Sequence, residues 1–586
     1  MTADRLRQWL MEPDSRSGIR FHDRHTGWSV WPYSLLAEAA FGVAEALRDR
    51  RVRPGDVVMV MQGTTSHAVA GVFGCLAAGA TPAPAAGAAL FRPTAEFVLQ
   101  AGNAIAATGP VLILTRPDWG ALLREAMAAG AVPPTPVLTT EELPEGRGGG
   151  SHRLCPLPGP ALLQLTSGST GSPRAVAVPR SALQDNLEAI RHWLGMTSDD
   201  ATASWLPLHH DMGLIGSFLL PVTIGAELWL MQPESFVRDP LTWLRCMGSG
   251  SARLSATPAF GLTHVLRKVK PADLRGLDFT GWKAVIVGAE RIDATVLDRF
   301  ADLLQPYGFD RCALAPAYGL AEATLAVTGS ALDAVPAVRH VYPRTLAPGR
   351  RVAVVAATAF SGTTGIRVVG CGSSLVPGAE VRIVDDEGHR LPDEHVGEIV
   401  VNGPCAVAGE PAAGGGRRTG DTGFWYKREL FVIGRRGDAL SRRGRIVFAE
   451  DLELLLAAVP GVPARKAVVL LGNEAGRDLV VGVVEAPPGP WADEAATLLR
   501  SRVDDAGVVV LSGSAGVISR TTSGKPRRRR LWEAFVSGGL KARVLVDDRV
   551  NLPGLRTERR QAYRSSRRGI SPDDLQDQIS DNQLQG

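Results

Sequence analysis

Cysteine is scarce: the chain has six, Cys75, Cys155, Cys246, Cys312, Cys371 and Cys405, and no two form a C-x-x-C pair. Such scattered thiols argue against a zinc site or a disulfide framework and fit a reducing, cytoplasmic setting. Net charge is also small, +4 over 586 residues, so overall charge implies no nucleic-acid partner. No long unbroken apolar run exists. The most membrane-like stretch, residues 68–91, is mostly Ala and Gly and is broken by Pro82 and Pro84. It therefore reads as a buried helix followed by a buried strand, with no integral membrane segment. The opening MTADRLRQWLMEPDSR has early acids and no apolar stretch of signal-peptide length.

What is present is a soluble globular balance, 45% hydrophobic and 21% charged. The length exceeds what one core serves, so the chain should divide. Residues 34–50 repeat apolar side chains at helical spacing, and VVMVM (57–61) follows a Pro-Gly-Asp turn as a buried strand. The alternation continues through VLIL (111–114), a helix near 182–194, LWLM (228–231) and AVIV (284–287). From about Val368 short strands and tight turns take over, with PAAGGG (411–416) as a surface loop. AVVLL (467–471) and LVVGVVE (479–485) begin another α/β unit. The expected architecture is α/β: a large N-terminal body of two helix-flanked sheets plus a small β subdomain, then a smaller mobile α+β domain. Boundaries are expected at 1–434 and 435–550, with 551–586 a polar, disordered tail.

Several segments carry chemistry. In LLQLTSGSTGSPRAVAV, two apolar strands flank Thr166, Ser167, Gly168, Ser169, Thr170 and Gly171. Small hydroxyl residues mixed with glycine let backbone N–H groups approach a polyphosphate. The alternative is a plain Ser/Gly hairpin turn. SWLPLHHDMGLIG pairs His209 and His210 before Asp211; adjacent histidines are expected to face different ways, which disfavours a metal site. APAYGLAEATLAV offers Tyr318 as a flat face for a base, Gly319 for room, and Glu322 as a lone carboxylate in apolar company. A metal-bound nucleotide would justify that carboxylate; an ordinary helix N-terminus is the equal alternative. Asp421 in RRTGDTGF could accept from two ribose hydroxyls, and Arg435 follows a strand and a glycine; taken singly, a polar turn is the favoured alternative for each. Lys525 stands in a small Thr-Ser-Gly context from which a long cationic arm can reach a cleft. From Arg520 to Arg568 there are 15 Lys+Arg against 4 Asp+Glu, and Arg527–Arg530 read as a solvated basic face or a nucleic-acid patch; no aromatic interleaving supports the latter, and the stretch could instead dock an acidic carrier protein.

The blocks TSGSTGSPR, LPLHHDMGLIG, VGAE, YGLAEAT, GEIVVNG, TGD, GRRGD and TSGK, in that order, resemble the adenylate-forming superfamily of acyl-CoA synthetases, luciferases and peptide-synthetase adenylation domains. HDMGLIG, YGLAEATLAV and VGCG (369–372) are most similar to fatty acyl-AMP ligases. The resemblance, over roughly residues 20–545, implies ATP and Mg2+, a long-chain fatty acid, and a separate phosphopantetheinylated acyl carrier protein as acceptor. It implies that Thr166 to Gly171, with Arg174, hold the β- and γ-phosphates. Gly288, Ala289 and Glu290 would line the adenine pocket, with Tyr318 on the base and Gly319 beside it. Thr324 would contact the α-phosphate, Glu322 the magnesium, and Asp421 the ribose with Arg435 assisting. His210 would shape the acyl pocket, and Lys525 would reach the reacting oxygens from the C-terminal domain, with a hinge at Gly437–Asp438. Four features depart from the family pattern: Arg174 replaces the usual Lys, His209 a tyrosine, Gly437 a Lys or Asp, and Gly409–Glu410 a Gly-Tyr pair. An acyl-CoA synthetase, an amino-acid or aryl-acid adenylating enzyme, and an inactive nucleotide-binding protein share these motifs and remain as alternatives.

Overall fold

The computed structural model describes residues 5–551 apart from 15, 89–93, 130–131, 144–151, 167–172, 356–364, 443–444, 464–465, 475, 504–505 and 522–523. The tail beyond 551 and the phosphate-loop residues Ser167, Gly168, Ser169, Thr170 and Gly171 therefore lie outside the described residues. By contacts the chain divides after Gly437 into two compact units, with 444–446 counted in the first.

The first unit is built on a nine-stranded sheet. Its order is Ser373–Ser374, Ala326–Gly329, Leu314–Gly319, Ala284–Gly288, Leu254–Pro258, Thr202–Ser204, Leu228–Met231, Gly18–Asp23 and Gly27–Pro32. The six strands from Leu314–Gly319 to Gly18–Asp23 are parallel. Alternation sends Ala284 into one apolar core and Val285 into another, so both faces are covered. This is why these strands read as continuous apolar runs. A four-stranded parallel sheet orders Thr81–Pro84, Val57–Met61, Leu112–Thr115 and Val137–Thr139. The stretch at 68–91 contributes the buried helix Ser66–Ala78 and the strand Thr81–Pro84. Among the described residues no helix is long and apolar enough to cross a membrane.

The phosphate-loop segment forms the antiparallel pair Leu162–Thr166 and Arg174–Val178, with Thr166 opposite Arg174. The β subdomain is a five-stranded antiparallel sheet drawn from residues 380–435. The VGCG segment ties it to the main sheet: Thr328 Oγ1 donates to the Cys371 carbonyl at 2.6 Å, while Cys371 N donates to the Leu430 carbonyl at 2.7 Å.

The second unit carries the sheet Ala467–Glu474, Arg477–Val484, Gly507–Gly513 and Ala542–Asp547, flanked by helices Ala449–Leu456, Trp491–Arg500 and Arg528–Val536. Here the basic run departs from the expected solvated face. Arg528 turns inward, its side chain only 13% exposed, to Asp438 at 2.9 Å, Glu450 at 3.1 Å and Glu453 at 3.0 Å. A guanidinium that far from water needs such partners, and a charge count along the sequence cannot reveal them. Arg529 pairs with Glu533 on the surface.

Candidate active site

The C-terminal ends of the parallel strands are where an open α/β sheet offers a crevice. Here those ends carry Gly288, Ala289, Tyr318 and Gly319, which together line the mouth of a cavity. Its body is walled by Ala256, Ile286, Met212, Gly216 and Leu325, and its far end by Ile190, Leu194, Met196, Thr202 and Leu254. The wall is mostly apolar, as a site for a hydrocarbon should be. Part of it is a π-helix, Met212–Leu219, whose first N–H is taken by Asp211 Oδ1 at 2.8 Å. Single-turn π segments are themselves rare and cluster at functional sites. Gly319 is required sterically, since a Cβ there would lie 1.9 Å from the Leu325 carbonyl oxygen.

Beside the mouth, Tyr318 donates its hydroxyl to Asp421 Oδ2 at 2.8 Å. Asp421 stands opposite Arg435 in an antiparallel pair, and Arg435 Nε donates to Asp421 Oδ1 at 3.0 Å. Burial, reinforced by the Asp421 charge, holds the Tyr318 phenol well above its usual range, so it stays a donor. Asp421 raises the Arg435 guanidinium further, and Glu322 adds to that field. Three predicted residues, Tyr318, Asp421 and Arg435, are thus hydrogen-bonded together, and the Glu322 charge acts on Arg435.

Glu322 sits half-buried in the 3-10 turn Ala321–Ala323, not in the first turn of an ordinary helix. Its backbone carbonyl accepts from Val407 and Ala408 N–H at 2.9 and 3.0 Å. Thr324 follows at φ 69° and ψ −63°, and Leu325 N donates to the Ala323 carbonyl at 2.8 Å, closing a γ-turn. For a β-branched residue this conformation costs about 1–3 kcal/mol. The fully buried Thr324 hydroxyl donates to the Cys405 carbonyl at 3.2 Å, so the proton expected to meet a phosphate is engaged within the protein. Thr324→Val should lower stability by about 1–3 kcal/mol by stranding that carbonyl, seen as a lower melting temperature, whereas Thr324→Ser should melt close to the parent. Equal melting of the two variants would show that the hydroxyl does not hold the turn.

The remaining predicted residues are dispersed. Glu290 does not line the cavity; its Oε1 accepts from Phe260 N at 2.6 Å, at the start of helix Ala259–Lys268. The rings of His209 and His210 do not face apart: their centroids are 4.5 Å from each other, because the chain turns there through a His210 N to Pro207 carbonyl bond. Arg174 is exposed. Thr166 Oγ1 is buried with no hydrogen-bond partner among the described residues. Lys525 belongs to the second unit and is exposed.

Two residues escaped the sequence reading. Glu398, within GEIVVNG, accepts from Gly420 N at 3.2 Å and from Arg436 Nη1 at 2.9 Å. One buried carboxylate thereby braces the residue before Asp421 and the residue after Arg435. Asn186, fully buried, exchanges bonds of 2.9 and 3.0 Å with the backbone of Ala326, on the strand beside Tyr318. The only signal was a polar residue in an apolar helical frame.

Residues 12–409 match the family model for AMP-binding enzymes. The chain belongs to that family. This AMP-binding enzyme uses ATP and forms acyl-adenylates. It is 30% identical to the long-chain-fatty-acid–AMP ligase FadD26 of Mycobacterium tuberculosis, over 83% of this chain and 88% of that one. It is 32% identical to the 4-hydroxyphenylalkanoate adenylyltransferase of Mycobacterium marinum over 65% of each. Other relatives carry CoA-ligase names. A solved structure from a study of fatty acyl-adenylate ligases of E. coli and L. pneumophila superposes with a TM-score of 0.81 at 28% identity, covering 91% of this chain and 98% of that one.

Proposed function

We propose that this AMP-binding enzyme joins ATP to a fatty acid, releasing pyrophosphate, and passes the acyl group to the phosphopantetheine thiol of a separate acyl carrier protein. The observation that carries the reading is the mostly apolar cavity opening at the strand ends beside the Tyr318–Asp421–Arg435 set. An acyl chain lying there leaves its carboxylate near the nucleotide site.

In the first step a carboxylate oxygen bonds to the α-phosphorus as the bond to pyrophosphate breaks. Both reactants are anions, and two unit charges at 4 Å repel by about 4 kcal/mol at an effective dielectric near 20. Lys525 and the hydroxyl-rich loop at 166–171, with Arg174, offset that repulsion; Asp421 accepts from the ribose hydroxyls while Arg435 fixes its orientation. The Thr166 hydroxyl, without a partner among the described residues, and the half-buried Glu322 carboxylate suit a magnesium-bearing polyphosphate. Glu322 would hold the ion, which supplies charge neutralisation when bound. In the second step the thiol sulfur bonds to the acyl carbonyl carbon, losing its proton, and AMP departs.

ATP–pyrophosphate exchange over a panel of fatty, aryl and amino acids tests the first step, with exchange expected for fatty acids. Exchange with amino acids alone would refute it. Offering the acyl-adenylate to CoA and to a holo carrier protein tests the second; transfer to CoA alone would make the enzyme an acyl-CoA synthetase.

A further inference from the structure

The far end of the cavity is a pinned floor. Leu194, Met196, Thr202 and Leu254, all buried, line it there. The segment that carries the first three is clamped by Asp200, whose side chain is 3% exposed. Asp200 pairs with Lys283 and with Arg253, each at 3.0 Å, and accepts from Thr197 N at 3.0 Å. Lys283 Nζ also donates to the Gly195 carbonyl at 2.7 Å. Two cations rooted at the N-terminal ends of neighbouring strands therefore hold both ends of the loop that lines the cavity there.

Strand register gives the depth. Leu254 lies opposite Ala284, four residues before Gly288 at the mouth, and Thr202 lies opposite Leu254 on the next strand. Four residues along, at about 3.3 Å each, and two strands across, at about 4.8 Å each, make roughly 16 Å. A saturated chain advances about 1.2 Å per bond, as the extended peptide's rise of about 3.5 Å per three bonds implies.

We infer that this floor is a length stop, admitting acyl chains of about a dozen carbons and rejecting longer ones, with Met196 as the contact at the chain end and Lys283 as the residue positioning it. The inference rests on the fatty-acid reading above. It shortens the long-chain expectation raised by the sequence.

The test is kcat/KM for pyrophosphate release with hexanoate, dodecanoate and octadecanoate. Dodecanoate is expected to be best and octadecanoate at least about tenfold poorer, since a misfitting apolar end is worth that much. Met196→Ala should move the optimum to tetradecanoate. Lys283→Met, outside the cavity, should raise the octadecanoate-to-dodecanoate ratio about tenfold, with Lys283→Arg restoring it. Parent enzyme that takes octadecanoate as well as dodecanoate would overturn the stop, even if no variant folds. So would a ratio unmoved in folded Met196→Ala and Lys283→Met proteins. Inertness toward every fatty acid, with exchange seen for other acids, would instead overturn the fatty-acid reading and the inference with it.

Discussion

Replacing Lys525 by alanine is expected to lower acyl-adenylate formation by about 10²–10³-fold, the usual loss when a charge-stabilising donor is removed, with ATP binding largely kept. Lys525 is exposed, and among the described residues no acid pairs with its ammonium group. Its backbone, by contrast, is fixed: Lys525 N donates to Thr521 Oγ1 at 3.0 Å, and Thr521 N donates to the Lys525 carbonyl at 2.7 Å. A firm base under a free cationic arm suits a group that must meet charge gathering on a leaving pyrophosphate. Hydroxamate trapping reads adenylate formation, and calorimetry reads ATP binding. Near-normal trapping by the variant would remove Lys525 from the reaction.

Asp421→Asn is expected to raise KM for ATP by about 10–100-fold, because a hydrogen bond to a charged group is worth about 1.5–3 kcal/mol. Asparagine keeps an acceptor for the Tyr318 hydroxyl, so melting should change little. Asp421→Ala should lose the same affinity and also stability, on the order of 1–3 kcal/mol, for the stranded buried phenol. Loss of the Arg435 pairing adds little to that, since the Arg435 side chain is 55% exposed. An unchanged KM in the asparagine variant would separate Asp421 from the ribose and leave it a structural brace.

Local signals in the sequence carried over well into structure. The Asp421–Arg435 pairing lies within one hairpin, and the strand–loop–strand of 162–178 was legible from its apolar flanks. Long-range partnerships were not. Asp200 finds Lys283 83 residues later and Asn186 finds Ala326 after 140, so a buried polar residue announces that a partner exists without naming it. The segment after Asp211 has the apolar content of any helix, and nothing in its composition separates π from α winding. The fate of Arg528 was hidden for a similar reason: four successive arginines look alike until the helix beginning at Arg528 aims one of them at Glu453.

The short 3-10 turn Arg436–Asp438 spans the division between the units. Arg436 is fastened to Glu398 and Asp386 in the first unit, and Asp438 to Arg528 in the second. Between these moorings stands a single residue, Gly437, where a Cβ would meet nothing within 4 Å. Packing therefore places no demand for glycine there; what the residue contributes is torsional freedom. Of the three residues in this turn, Gly437 is thus the one with no side chain to tether, while Arg436 and Asp438 on either side are each held by ion pairs.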